Sequence, residues 1–133
     1  RLDAEMRHHA GLLADKAVSV ILPMETTFTV DRNEITPAVF LTKAGINVAF
    51  QSMAADGARA LPYQALQAVR SGMAADDALE ALTIGAAQAL GVSDKIGTIE
   101  AGLDADLLIW NGHPFEVGSD LDRVFIHGEE VPR

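Results

Sequence analysis

Residues able to do chemistry gather in two polar stretches. Gln51-Ser52-Met53-Ala54-Ala55-Asp56-Gly57 sets an amide, a hydroxyl, a thioether and a carboxylate among small residues, and Glu25 stands in the second stretch, Met24-Glu25-Thr26-Thr27. Amides and hydroxyls orient a bound polar molecule, and a carboxylate can take a proton from it. Glu25, Gln51 and Ser52 are therefore the candidate substrate contacts. Their plainer roles are a solvated loop acid for Glu25 and a backbone hydrogen-bond partner for Ser52. The histidines offer less. His8 and His9 are adjacent, so a helix points them about 100° apart and they cannot share a metal as an i, i+4 pair could. His113, in Asn111-Gly112-His113-Pro114-Phe115, and His127, at a hairpin turn, read as structural or surface residues.

The elements that must position these groups alternate along the chain. Residues 2–14 carry Leu2, Met6, His9 or Ala10, and Leu13 at helical spacing. Residues 17–22 form a β-branched run closed by Pro23, which predicts a strand followed by a polar loop over 24–33. Residues 35–43, with Pro37 in the first turn and Gly45 as terminator, predict a helix, and 46–50 a second strand. Residues 61–69 and the Ala-rich 76–90 predict two further helices, the latter stopped by Gly91. Tight helix-to-strand connections with longer loops after the strands are the pattern of parallel βα units, whose chemistry sits at the strand carboxyl ends. After Gly91 the chain turns all-β. A short strand from Ile96, a Gly-Asp turn, a strand ending at Trp110 and a hairpin over 123–131 are expected. The expected division is residues 1–91 and 92–133.

Composition narrows the function classes. Hydrophobic residues make up 49% and charged residues 22% of 133 residues, a globular balance. A net charge of −9 with no basic stripe argues against phosphate-backbone recognition, so no nucleic-acid partner is expected. No apolar run approaches the ~20 residues of a membrane helix, so no membrane partner is expected either. Without cysteine there is no thiolate metal site, and the compartment is left open.

The tail carries the most specific sequence. Ala81-Leu82-Thr83-Ile84-Gly85-Ala86-Ala87-Gln88-Ala89-Leu90-Gly91, Lys95-Ile96-Gly97-Thr98-Ile99-Glu100-Ala101-Gly102-Leu103-Asp104-Ala105-Asp106-Leu107-Leu108-Ile109-Trp110 and Val124-Phe125-Ile126-His127-Gly128-Glu129-Glu130-Val131 resemble the C-terminal end of the amidohydrolase superfamily. Imidazolonepropionase-like members are the nearest branch. The resemblance implies an α/β fold: the C-terminal βα units of a (β/α)8 barrel, with residues 17–22 and 46–50 as its seventh and eighth strands, plus strands of an accessory β-sandwich. It implies that the first six strands, and the family's His-X-His pair, bridging Lys and further His ligands, would precede Arg1.

By the same resemblance, the parent hydrolyses C–N bonds of small cyclic or linear amides through a divalent metal, zinc foremost, and none is expected to be held by this chain alone. The family places an Asp in the turn after the eighth strand, and that position is Met53 here. A thioether neither accepts a proton at neutral pH nor binds a hard cation well. Asp56 is the remaining catalytic candidate, reaching such a site only through a reshaped loop. No metal ligand is assigned in this chain, which is expected to be inactive by itself. The alternative reading is a non-catalytic binding or structural module that has lost its metal. Open strand edges predict self-association, or association with the missing N-terminal part.

Overall fold

The computed structural model describes residues 9–23, 28–30, 33–52 and 57–132. Residues 9–14 are helical (α1). There follow β1 (Val20–Pro23), β2 (Phe28–Val30), β3 (Asn33–Ile35), α2 (Pro37–Lys43), β4 (Val48–Gln51), a 3-10 turn (Gly57–Ala60), α3 (Leu61–Arg70), α4 (Ala75–Leu82), α5 (Ile84–Leu90), β5 (Leu107–Trp110), β6 (Leu121–Ile126) and β7 (Glu129–Val131).

β1 and β4 pair in parallel, with Val20 opposite Val48 and Leu22 opposite Phe50. A parallel pair needs a crossover, and α2 lies on that crossover. Thr36 caps α2, its Oγ1 accepting from the Ala38 N–H, and Pro37 occupies the first turn, where its missing N–H is harmless. Val48, Ala49 and Phe50 are all buried, as expected of a parallel strand covered on both faces. The core joins Val48 and Phe50 to Leu22 and to alanines 38, 65, 68, 78 and 81, whose small side chains bring the helices close. No helix among the described residues is long and apolar enough to cross a membrane.

Four expectations are corrected. β1 begins at Val20 rather than at residue 17, and Pro23 is its last residue, opposite Gln51; a proline survives there because one edge of β1 faces no strand among the described residues. The expected loop over 24–33 gives way to a short antiparallel hairpin, with Phe28 opposite Ile35 and Thr29 opposite Glu34. Its apolar and β-branched residues favour extended backbone.

The expected helix over 76–90 is broken at Thr83, whose φ of −120° and ψ of −102° are not helical. The break lets α5 press onto β4. A Cβ placed on Gly85 would lie 2.8 Å from the Val48 carbonyl oxygen and 2.9 Å from Asn47 Oδ1, while Asn47 Nδ2 donates to the Gly85 carbonyl at 2.9 Å.

The strand expected from Ile96 is not formed. The Lys95 and Ile96 N–H groups donate to the Val92 carbonyl, and Asp104 N–H donates to the Lys95 carbonyl, so the local backbone is committed to turns. Gly97, at φ 108°, sits where a Cβ would come within 2.9 Å of Ala87 Cβ. The rest of the tail forms one antiparallel sheet in the order β5-β6-β7, and Phe115 from the loop before β6 packs against the core.

Candidate functional site

The parallel register brings the carboxyl ends of β1 and β4 together, with Pro23 beside Gln51. Gln51 and Ser52 emerge there as exposed residues immediately after the buried run Val48–Phe50. A polar pair at the end of a rigid buried strand is suited to orient a ligand, because the scaffold fixes the backbone while the side chains stay free. Glu25, Met53 and Asp56 lie outside the described residues, as does His8. The chain re-enters the structure in the Gly57–Ala60 turn and runs into α3, which has Pro62 at its start.

Gln64 on α3 is a further polar residue close to this strand end. It is buried, and its Nε2 donates to the Leu22 carbonyl at 2.9 Å, tying α3 to β1 one residue before Pro23. Its Oε1 is buried without a hydrogen-bond partner. The signal in the sequence is a polar residue on the apolar stripe of Leu61, Ala65 and Ala68, where burial requires a hydrogen bond.

The remaining histidines lie apart from these strand ends in sequence and setting. His9 is exposed on α1. His113 Nδ1 accepts from the Phe115 N–H at 3.3 Å, its ring stands 5.4 Å from the Phe115 ring, and its Nε2 is buried without a partner. His127 occupies the β6–β7 turn at φ 51°, its N–H held at 2.8 Å by Asp106 Oδ1. Arg123 and Glu130, on β6 and β7, form a bidentate pair at 2.9 and 2.7 Å. The guanidinium hydrogen bonds hold the Glu130 carboxyl below its ordinary range and Arg123 above its own. This ion pair belongs to the surface of the tail sheet.

Among the described residues, no three His, Asp or Glu side chains converge as a metal site. The described donors therefore do not by themselves make a catalytic metal site. A large apolar groove of about 540 Å³ lies elsewhere, between α4, α5 and the tail, and neither Gln51 nor Ser52 lines it.

Comparison with known proteins places this geometry. The sequence matches the amidohydrolase family over residues 4–131. It is 35% identical over 106 residues to an imidazolonepropionase of Xanthomonas euvesicatoria pv. vesicatoria, covering 77% of this chain and 26% of that protein. An imidazolonepropionase of Acinetobacter baumannii is 33% identical over 131 residues, 91% of this chain and 32% of its own length. The crystal structure of an amidohydrolase from Thermotoga maritima MSB8 superposes with a TM-score of 0.79 at 36% identity, over 97% of this chain and 35% of that one. A zinc-bound adenosine deaminase from Xanthomonas campestris, at 23% identity and TM-score 0.63, shares the fold. The chain thus spans about a quarter to a third of the curated relatives it matches.

Proposed function

The chain belongs to the amidohydrolase family and has the α/β fold of that family's C-terminal barrel units and accessory strands, and from this we propose that it serves as the C-terminal part of a hydrolase cleaving a C–N bond in a small, non-peptide amide, cyclic or linear. The observation that carries the reading is the paired carboxyl ends of β1 and β4, which present Gln51 and Ser52 from a buried, parallel scaffold. Amide hydrolysis needs a substrate held with its carbonyl carbon open to water, and a group that takes the water's proton. Gln51, as donor and acceptor, and Ser52 supply the holding, with Glu25, which follows β1 in the sequence. The divalent metal that the family reading calls for, and its ligands, come from other parts of the parent protein. The 133-residue chain alone has no turnover.

Met53 favours a second reading, in which the parent is a non-catalytic, metal-free relative that binds a small molecule or serves a structural role. One experiment separates the two. The full-length parent is purified, its metal content measured, and cyclic and linear amides assayed. Stoichiometric divalent metal with turnover supports the hydrolase. A folded parent with neither metal nor turnover overturns it in favour of the binding module.

A further inference from the structure

Burial alone does not choose the register in which β1 meets β4. In the observed pairing Val20 and Leu22 stand opposite Val48 and Phe50, and Leu22, Val48 and Phe50 share one core against which Val20 packs. Side chains alternate faces along a strand, so a slide of two residues returns each of them to the same face. Val18, Val20 and Leu22 are all apolar, and the slid strand would still offer β4 an apolar face. Backbone ladder bonds do not choose either, because they repeat along the strands. Yet a slide of two residues moves the end of β4 by about 7 Å along β1. That takes Gln51 away from Pro23.

One side-chain pair does distinguish the registers. With Val20 opposite Val48, Ser19 falls opposite Asn47 one residue back, and Asn47 Nδ2 donates to Ser19 Oγ at 2.8 Å. The same nitrogen donates to the Gly85 carbonyl at 2.9 Å, so its two hydrogens serve two acceptors and the amide is held to α5 while it grips the start of β1. After a slide of two residues Asn47 would face Ala17 or Ile21, neither of which has a polar side chain. At the other end Gln64 binds the Leu22 carbonyl. Every residue of β1 has a carbonyl, so that bond reinforces the register without selecting it. All of these partners lie within the chain, and none of the contacts depends on what the rest of the parent covers.

We infer that Asn47 is a positioning residue for the strand-end site. Paired with Ser19 it sets the register of β4 on β1, and through the buried run Val48–Phe50 it fixes where Gln51 and Ser52 stand beside Pro23. It acts from the opposite end of the strand, about 13 Å from Gln51. The inference rests on the reading of Gln51 and Ser52 as the groups that hold the amide. Displacing such groups by about 1 Å can cost about 10²-fold in rate, so even a partial loosening of the register is felt at the site.

The test uses the full-length parent, methyl-labelled at valine and leucine, with the variants Asn47→Leu, Ser19→Ala and Ser19→Thr. Val39→Ala, on the buried face of α2, controls for lost stability alone. Two readouts are taken at a temperature where the variants are folded: the nuclear Overhauser contact between the Val20 and Val48 methyls, and KM and kcat on the best cyclic or linear amide. Asn47→Leu and Ser19→Ala are expected to weaken the methyl contact and to raise KM about tenfold or more. Ser19→Thr, which keeps the hydroxyl, and Val39→Ala leave both near the wild type. Ser19 is exposed, so Ser19→Ala carries the test if Asn47→Leu does not fold. An unchanged methyl contact in these variants overturns the inference. So does a weakened contact with KM unchanged, which would cut the register off from the site, and so does an equal rise of KM in Val39→Ala. If the wild-type parent turns over no amide, the hydrolase reading fails, and the methyl contact still decides the register: its loss in Asn47→Leu supports the role of Asn47 and its persistence overturns it.

Discussion

Gln64 Nε2 donates to the carbonyl of Leu22 at 2.9 Å, joining α3 to β1 across 42 residues of sequence at the level where β1 ends. This bond ties the helix that follows β4 to the carboxyl end of β1. Replacing Gln64 by Leu deletes the buried donor but also the unpartnered Oε1, so a loss of only about 1 kcal/mol is expected. Gln64→Glu puts a carboxylate against a carbonyl oxygen in a buried site and costs more, about 2–3 kcal/mol at neutral pH. Its pH dependence has a definite sign. Burial raises the folded-state pKa of the new Glu above its unfolded value of about 4.3. The penalty is absent below the unfolded value and grows as pH rises towards the folded one. Urea unfolding of both variants at pH 4 and pH 7 checks this, and a Glu variant less stable at pH 4 than at pH 7 would sink it.

Gly85 and Gly11 make a matched pair. A Cβ at Gly85 meets the Val48 and Glu80 carbonyl oxygens at 2.8 and 2.9 Å, both of them backbone atoms that cannot swing aside. Gly85→Ala is expected to cost about 1–3 kcal/mol by forcing α5 away from β4. Nothing lies within 4 Å of a Cβ at Gly11, in α1. There Gly→Ala is expected to be neutral or stabilising by up to about 1 kcal/mol. Thermal unfolding of the two variants side by side gives the contrast, and equal effects would show that α5 is not held against β4.

The Arg123–Glu130 pair makes a titration prediction. The guanidinium bonds lower the Glu130 pKa, so its contribution is present above the unfolded-state value and is lost as pH falls through the lower folded one. Side-chain NMR titration should find Glu130 ionising below an ordinary glutamate. Arg123→Met should return it to the normal range, and high salt should shrink the difference because both groups are exposed. An unchanged Glu130 in the variant would mean that the pair does not persist in solution.

These residues also show what a sequence reveals. β1, β4 and α2 were legible because β-branched runs, Pro37 and Gly45 act locally, and Gly45 does take a left-handed φ of 74°. The break at Thr83 was not, because it goes with the close approach of Gly85 to a strand 37 residues earlier. Ile96-Gly97-Thr98-Ile99 has strand-like composition, yet composition cannot supply the neighbouring strand a ladder needs. The hairpin from Phe28 to Ile35 has strands of three residues, too short for an alternation to stand out. Of the candidate site, the position of Gln51 and Ser52 at a strand end was legible. For Gln64 the place on an apolar stripe was legible but the partner was not, because that partner is a backbone atom on another element.

Met53 turns the proposed function into a measurement on the full-length parent. A correctly placed general base is worth about 10²–10⁴-fold in rate, and a thioether cannot act as one. If position 53 is where that base belongs, Met53→Asp should raise kcat/KM on the best amide substrate by about 10²-fold or more, mainly through kcat. If Asp56 already does this work, Asp56→Asn should lower kcat by a similar factor, and Met53→Asp in that background should restore part of it. The hydrolase reading expects one of these responses. A folded parent in which neither substitution changes turnover from background leaves no proton acceptor in the loop after β4, and the binding-module reading then stands.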